Sequence, residues 1–386
     1  MSYRWVVLAV GTTAQGSFAA FTIGIAVMLP AVRTEYGLTL AETGFVLAAT
    51  SVGTMLGMLP WGLAADRAGE RVVVTTGLTL GGAATLAAAG TVSFGPLVAL
   101  LALAGFGGAS VSAASGRAVM QWFPREERGL ALGIRQAAVP IAGMVTALGL
   151  PPLVAAAGVG WGITAIGIGI LAGAVLAGVF LRDAGAVPGD ETGPQVRIVR
   201  DPRTWLLAGG SALMVVPQIA LFGYTVLFLH DQRGLSAAAA GAVFASVQLL
   251  AVLARVAVGR WSDLAGSRIR PLRVLAVASA LAVLGTALVT GAPLAVLVPV
   301  LVAAGTLAAS WNGLAYAAAA EAVGRRRSGA ALGVQQTVLF GAGAVAAPVF
   351  AGLVDAAGWG WGFALIATAP AAAFLVLARV GERIHV

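Results

Sequence analysis

The sequence predicts an all-α polytopic membrane protein, with twelve transmembrane helices in two pseudo-symmetric six-helix bundles. Three observations predict it. The 386 residues are 59% hydrophobic and only 10% charged, whereas a soluble domain carries about 25% charged residues and needs a polar exterior. Twelve runs reach the roughly 20 apolar residues that a helix needs to cross a bilayer. A polar pattern in the first half of the chain recurs in the second. This composition excludes a soluble enzyme, a secreted domain and a disordered chain.

The runs fall at about 5–30, 41–65, 72–91, 96–121, 129–150, 160–181, 204–229, 237–261, 272–291, 294–320, 329–352 and 360–379. None alternates polar with apolar as barrel strands do. The first is too long for a signal-peptide core and lacks a small-residue cleavage site, so it reads as a helix. Residues 182–203, rich in Pro, Gly and acidic residues, read as a cytoplasmic linker. They separate a bundle over 1–181 from a second over 204–386. Gly is abundant, at 53 residues, as in membrane helices whose backbones approach closely. Pro140 and Pro348 remove backbone hydrogen bonds and are expected to bend the fifth and eleventh helices.

All 23 basic residues are Arg. Eighteen fall in one set of alternating loops and flanks, among them Arg4, Arg67, Arg71, Arg125, Arg128, Arg182, Arg268 and Arg325–Arg327. Only Arg33 and Arg233 fall in the opposite set. Positive-inside bias then puts both termini in the cytoplasm of an inner-membrane protein. The net charge of +8 is thereby a topology signal, and no nucleic-acid partner is expected. With no Cys and no Lys, disulfides, thiolate metal sites, Schiff-base chemistry and a P-loop lysine are excluded. His230 and His385 cannot form a metal cluster, and His230 reads as a surface residue. Tyr3, Trp5, Trp359 and Trp361 read as interfacial belt anchors. No cofactor and no enzymatic activity are expected, and the chain is expected to act as a monomer.

The internal repeat is specific. Gly37-Leu38-Thr39, Gly44, Gly62, Asp66, Gly69 and Arg71 recur as Gly234-Leu235-Ser236, Gly241, Gly259, Asp263, Gly266 and Arg268, each offset by 197. Gly129, Leu132, Gly133 and Gln136 recur as Gly329, Leu332, Gly333 and Gln336, offset by 200. Parallel six-helix repeats place a substrate site at their interface, near the bilayer midplane.

The loop Gly62-Leu-Ala-Ala-Asp66-Arg67-Ala-Gly69-Glu70-Arg71, with its copy Gly259-Arg-Trp-Ser-Asp263-Leu-Ala-Gly266-Ser-Arg268, resembles the signature loop of the major facilitator superfamily. The resemblance spans essentially the whole chain. It implies that these loops latch helices of opposite bundles on the cytoplasmic side when the protein opens outward. Fixing topology is the competing reading for Arg67 and Arg71, but not for Asp66 and Asp263, because acidic residues contribute little to topology. The segment from Trp122 to Gln136 is similar to the loop and fifth helix of cyanate and nitrate/nitrite porters and of organic-anion porters. The antiporter signature of that helix is degenerate here, reading Val139-Pro140-Ile-Ala-Gly143.

Three arginines lie inside helices: Arg117, Arg135 and Arg255. An arginine at the bilayer centre costs about 2.5–3.5 kcal/mol on the insertion scale and does not shed its proton. It must face a cavity or a partner. No Asp or Glu is deep in any of the twelve runs, the nearest being Glu321, Glu42 and Asp355. Unpaired positive charge makes the cavity favourable for small anions. Arg255, about two turns inside the eighth helix, resembles the anion-binding arginine of nitrate porters, oxalate–formate exchangers and monocarboxylate transporters. Its repeat partner in helix two is Met58, so the symmetric arginine pair of nitrate porters is absent. Snorkelling to the interface competes for Arg117, and a helix–helix hydrogen bond competes for Arg135.

Gln15, Gln136, Tyr224, Gln248, Trp311, Asn312, Tyr316 and Gln335 are candidates to complete the site, with polar helix–helix contacts as the alternative. The expected function is transport of small organic or inorganic anions by alternating access, with a small anionic substrate and the bilayer as partners. An exporter of uncharged or lipophilic compounds is the alternative, and a sensor without transport a more distant one.

Overall fold

The computed structural model describes residues 3–124, 127–183, 200–323 and 328–381. Among them the regular structure is helical. The first span is α1 (Tyr3–Val27), continued after a break at Met28 by the short α2 (Leu29–Tyr36). The second and third spans form one element, α3 (Leu40–Ala89). The fourth is α4 (Phe94–Ser110), a π-helical turn over Val111–Ser115, and α5 (Gly116–Trp122). The fifth and sixth are α6 (Arg128–Ala157) and α7 (Val159–Phe180).

The second bundle repeats this order. It contains α8 (Pro202–Leu227), extended by a π-helical turn over Phe228–Gln232, then α9 (Ala237–Leu264) and α10 (Ile269–Leu288). The tenth span is split into α11 (Leu294–Ala309) and α12 (Asn312–Val323). The last two spans are α13 (Ser328–Ile366) and α14 (Thr368–Ala378).

Among the described residues, ten continuous segments are long and apolar enough to cross a membrane. Two of these, Leu40–Ala89 with 50 residues and Ala331–Ala378 with 48, would each run about 70–75 Å if straight, more than twice a bilayer core. Each is interrupted by a glycine with non-helical backbone, Gly69 at φ 82° and Gly358 at φ 83°. Counted as two spans each, they bring the total to twelve.

The backbone repeats as the sequence does. Six glycines among the described residues have positive φ, and they form three pairs at the repeat offsets. Gly37 and Gly234 lie at 62° and 70°, Gly69 and Gly266 at 82° and 60°, and Gly158 and Gly358 at 88° and 83°. A side chain is strained in this region, so the turns at both ends of each bundle select glycine. The helix starts match too. Thr39 and Ser236 each cap their helix by accepting from the backbone N–H three residues on, and Glu42 completes a capping box with Thr39.

The bundles meet along two related seams. A Cβ on Gly44 of α3 would lie 2.5 Å from Pro348 Cα of α13. A Cβ on Gly241 of α9 would collide with the carbonyl of Ala147 on α6. Below these, Gly143 of α6 packs on the Gln248 amide of α9, and Gly341 of α13 packs on Met55. An ion pair, Arg33 Nη1 to Asp231 Oδ2 at 2.6 Å, joins the bundles at the same end. This end is called the distal face here, and the end carrying most loop arginines the basic face. Among the described residues, these close approaches and this ion pair lie toward the distal face, so the seam is closed there.

Loops on the basic face bond within their own bundle. Arg71 N–H donates to Asp183 Oδ1 at 2.9 Å, and its guanidinium donates to the Gly178 carbonyl. Arg268 pairs with Asp263 at 2.5 Å and Glu321 at 3.1 Å. Burial pulls the Arg268 guanidinium down, yet its bonds to these carboxylates leave it above the ordinary arginine value. Gly69 needs its bare backbone because a Cβ there would lie 2.7 Å from the Asp183 carboxylate. Asp66 and Arg67 are exposed, while Gly62 and Gly259 meet open space.

One expectation changes: the Trp359 ring packs against Phe228, Phe350 and Phe363, whereas Trp361 is 65% exposed. Within the signature loop, Glu70 is buried and accepts from Gln121 Nε2 at 3.2 Å.

Candidate functional site: two arginines at two helix discontinuities

Arg135 sits on α6, about two turns from its start at Arg128. It is 7% exposed and held on three sides. Ser115 Oγ accepts from Nε at 3.0 Å and Nη2 at 2.7 Å, Gln15 Oε1 from Nη2 at 2.6 Å, and Gln136 Oε1 from Nη1 at 3.3 Å. The fourth span carries a π-helical turn at the Val111 carbonyl. That oxygen accepts from Ser115 Oγ at 2.6 Å and Arg135 Nη2 at 3.4 Å.

Arg255 sits on α9 and is half-buried. Its Nε donates to the Ala309 carbonyl at 2.9 Å. Ala309 is the last residue of α11, and the final carbonyls of a helix have no partner within it. The break at Ser310 and Trp311 thus frees an acceptor at a negative dipole end, where a cation is favoured. The two arginines occupy matching discontinuities, since Val111 and Trp311 are related by the 200-residue offset.

Tyr316 of α12 lies within electrostatic reach of both arginines. It also interacts with Asn312 and donates to Gln336 Oε1 at 3.4 Å. Among the described residues no carboxylate forms an ion pair with Arg135 or Arg255. Among the described residues, Arg135 and Arg255 are thus compensated only by neutral acceptors. No group of His, Cys, Asp and Glu suited to a metal occurs among the described residues.

The repeat shows how this site differs from its copy. Gln335 occupies the position equivalent to Arg135. It donates to Ser211 Oγ at 2.8 Å and to the Ala315 carbonyl at 3.3 Å, and Ala315 is the equivalent of Ser115. One node carries a charge and its counterpart an amide.

The predicted residues divide accordingly. Arg135, Gln15 and Gln136 are brought together; Arg255 bonds to the Ala309 carbonyl and Tyr316 to Gln336. Tyr224 is elsewhere: its hydroxyl donates to the Ala347 carbonyl at 2.8 Å, and its ring packs on Phe350 in the distal aromatic cluster. Gln248 lies in the seam, seven residues distal to Arg255, and Gln335 is consumed inside the second bundle. Trp311 is fully buried in the core of that bundle, its Nε1 without a hydrogen-bond partner. The backbone of Arg117 lies in α5, but its side chain lies outside the described residues. So do linker residues 184–199, and Arg125, Arg325–Arg327, Arg383 and His385. Ser115 and the carbonyls of Val111 and Ala309 were missed, and no side-chain pattern marks a freed carbonyl.

Similarity to known proteins decides the family. The sequence profile described as Major Facilitator Superfamily matches residues 11–347. The chain belongs to the Major Facilitator Superfamily. Two MFS-type transporters of Mycobacterium tuberculosis, from strains CDC 1551 and H37Rv, are each 33% identical over 374 residues, covering 96% of this chain and 84% of theirs. A probable sulfoacetate transporter of Cupriavidus necator, SauU, is 29% identical over 162 residues, covering 42% of this chain and 38% of its own.

Among solved structures, a bacterial homologue of the human lysosomal transporter Spinster, inward-facing and unoccupied, superposes with a TM-score of 0.73. It is 16% identical, with 98% of this chain and 96% of that one covered. The nucleoside transporter NupG, solved as a point mutant, gives 0.72 at 12% identity, covering 98% and 100%. These identities carry the fold alone. As a superfamily member this protein is a multi-pass membrane transporter.

Proposed function

We propose that this transporter carries small organic or inorganic anions across the cytoplasmic membrane by alternating access, without an enzymatic step. Arg135 and Arg255 are its anion contacts, and the basic face is cytoplasmic. One observation carries the reading: two intramembrane guanidinium groups from opposite bundles are held by neutral acceptors, with no carboxylate partner among the described residues. The asymmetry of their restraints gives them different roles. Arg135 is pinned by four acceptors and serves as a fixed anchor. Among the described residues Arg255 is held through Nε alone, which leaves its terminal amino groups to grip an oxyanion in a fork. The relative named for sulfoacetate handles a molecule with two anionic heads, which fits a site carrying two cations. The seam closed at the distal face matches a carrier open to the cytoplasm, and rocking of the bundles would expose the arginines to the other side.

Uptake of labelled sulfoacetate, oxalate, formate, cyanate and nitrate into proteoliposomes tests this. At least one anion is expected to accumulate, with loss in Arg255→Ala and in Arg135→Ala. Full uptake by Arg255→Ala removes that residue as the contact. Thermal stabilisation by apolar uncharged compounds, with indifference to every anion, selects the lipophilic exporter instead.

A further inference from the structure

The outer wall of the second bundle carries a groove that transport does not use. It has a volume of about 570 Å³ and lies between α10 and α14. Its lining includes Arg270, Arg273, Val274, Val277, Leu281 and Phe374. The α10 residues recur every three or four positions and so form one stripe of that helix. Val274, Val277 and Leu281 are 48%, 39% and 64% exposed, so the stripe faces outward, toward lipid rather than into the bundle.

The two arginines stand at the start of α10, at the basic face. The Arg273 guanidinium lies 4.9 Å over the Phe374 ring, and its Nε is buried without a hydrogen-bond partner. Among the described residues neither Arg270 nor Arg273 forms an ion pair, and nearby Asp263 and Glu321 are taken by Arg268. The helix dipole of α10 adds positive potential at the same end.

We propose that this groove binds an anionic phospholipid from the leaflet at the basic face. The phosphate is held by Arg270 and Arg273, and an acyl chain lies along Val274, Val277 and Leu281 against Phe374. The arrangement is polarised as a lipid is, with cations at headgroup depth and an apolar trough running from them into the membrane. A soluble anion would use the charges but leave the trough empty. A zwitterionic lipid would fill the trough but leave two guanidinium groups without net countercharge. Basic pockets between helices at this depth suit anionic headgroups.

Native mass spectrometry of the full chain, released from detergent, tests the proposal with phosphatidylglycerol, phosphatidylcholine and inorganic phosphate as probes. Phosphatidylglycerol is expected to be retained in preference to phosphatidylcholine and not displaced by equimolar inorganic phosphate. Arg270→Ala with Arg273→Ala should cut retention by about 10-fold or more, each arginine near the surface contributing several-fold. Val277→Trp keeps both charges but fills the trough, and should also reduce retention. Unchanged retention in the double arginine variant overturns the site. Equal loss in Arg4→Ala with Arg182→Ala, on the other bundle, overturns it in favour of diffuse attraction. Displacement by inorganic phosphate, with Val277→Trp behaving as the parent, overturns it in favour of a soluble-anion site.

Discussion

The distal seam can be opened by a single carbon atom. In the closed seam a Cβ on Gly44 would lie 2.5 Å from Pro348 Cα, roughly 1 Å inside ordinary contact, and the obstacle is backbone that cannot rotate away. Gly241 faces the Ala147 carbonyl in the same way. Gly44→Ala or Gly241→Ala therefore requires the helices to separate, and overpacking of this kind costs about 1–3 kcal/mol. The cost falls only on the state in which the bundles touch there, so it appears as a population shift. At about 1.4 kcal/mol per decade, that is a shift of roughly 5- to 150-fold toward the opposite state. The chain has no Cys, so Val92→Cys and Leu288→Cys provide a unique spin-label pair on exposed distal sites of the two bundles. Pulsed dipolar spectroscopy should show a longer-distance population in Gly44→Ala, larger still in the double glycine variant. Distance distributions superimposable on the parent, in protein that elutes as folded, would refute the steric reasoning.

Other outcomes follow from the same contacts. Gln15→Ala removes the 2.6 Å acceptor of Arg135 and should weaken anion binding about 10-fold by calorimetry, with the arginine still present. This loss corresponds to one charge-assisted hydrogen bond. Asp231→Asn breaks the partly exposed pair with Arg33, worth at most about 1 kcal/mol; the spin-label shift should be under about 5-fold and vanish at 1 M salt. Tyr224→Phe leaves the Ala347 carbonyl without its donor and should lower stability by about 1–3 kcal/mol, while anion affinity measured by calorimetry is unchanged. The Arg268 value is raised, so from neutral pH upward its stabilising pairs are fully present below its ordinary value and are lost only as pH rises through the raised one. Denaturation midpoints of Arg268→Gln should accordingly run parallel to, and below, the parent from pH 6 to 9.

Much of the fold was legible because it is written in composition and spacing. Apolar runs mark the spans, and each glycine pair at the repeat offsets marks a turn that only a residue lacking Cβ enters without strain. Arg135 and Arg255 were legible because an unpaired guanidinium in a membrane helix demands an explanation. The rest depends on which way a face turns. Tyr224 looks like Tyr316 in the sequence, each a lone tyrosine in an apolar helix. Packing sends one to the distal aromatic cluster and the other to the Gln336 amide. Gln335 and Gln136 are equally polar, yet one is spent within its bundle. Glu70 reads as part of a charged loop until the fold buries it. The break at Ser310–Trp311 and the π-helical turn at Val111–Ser115 leave no mark in hydrophobicity.

The 2.9 Å contact between Arg255 and Ala309 bears on the empty half of a transport cycle. A naked cation would make the unladen return through a low-dielectric interior slow, tying each return to fresh cargo. On the proposed reading, a backbone oxygen resting on Nε softens that penalty whether or not cargo is bound, and the vacant carrier is expected to reset by itself, which efflux into solute-free buffer would check.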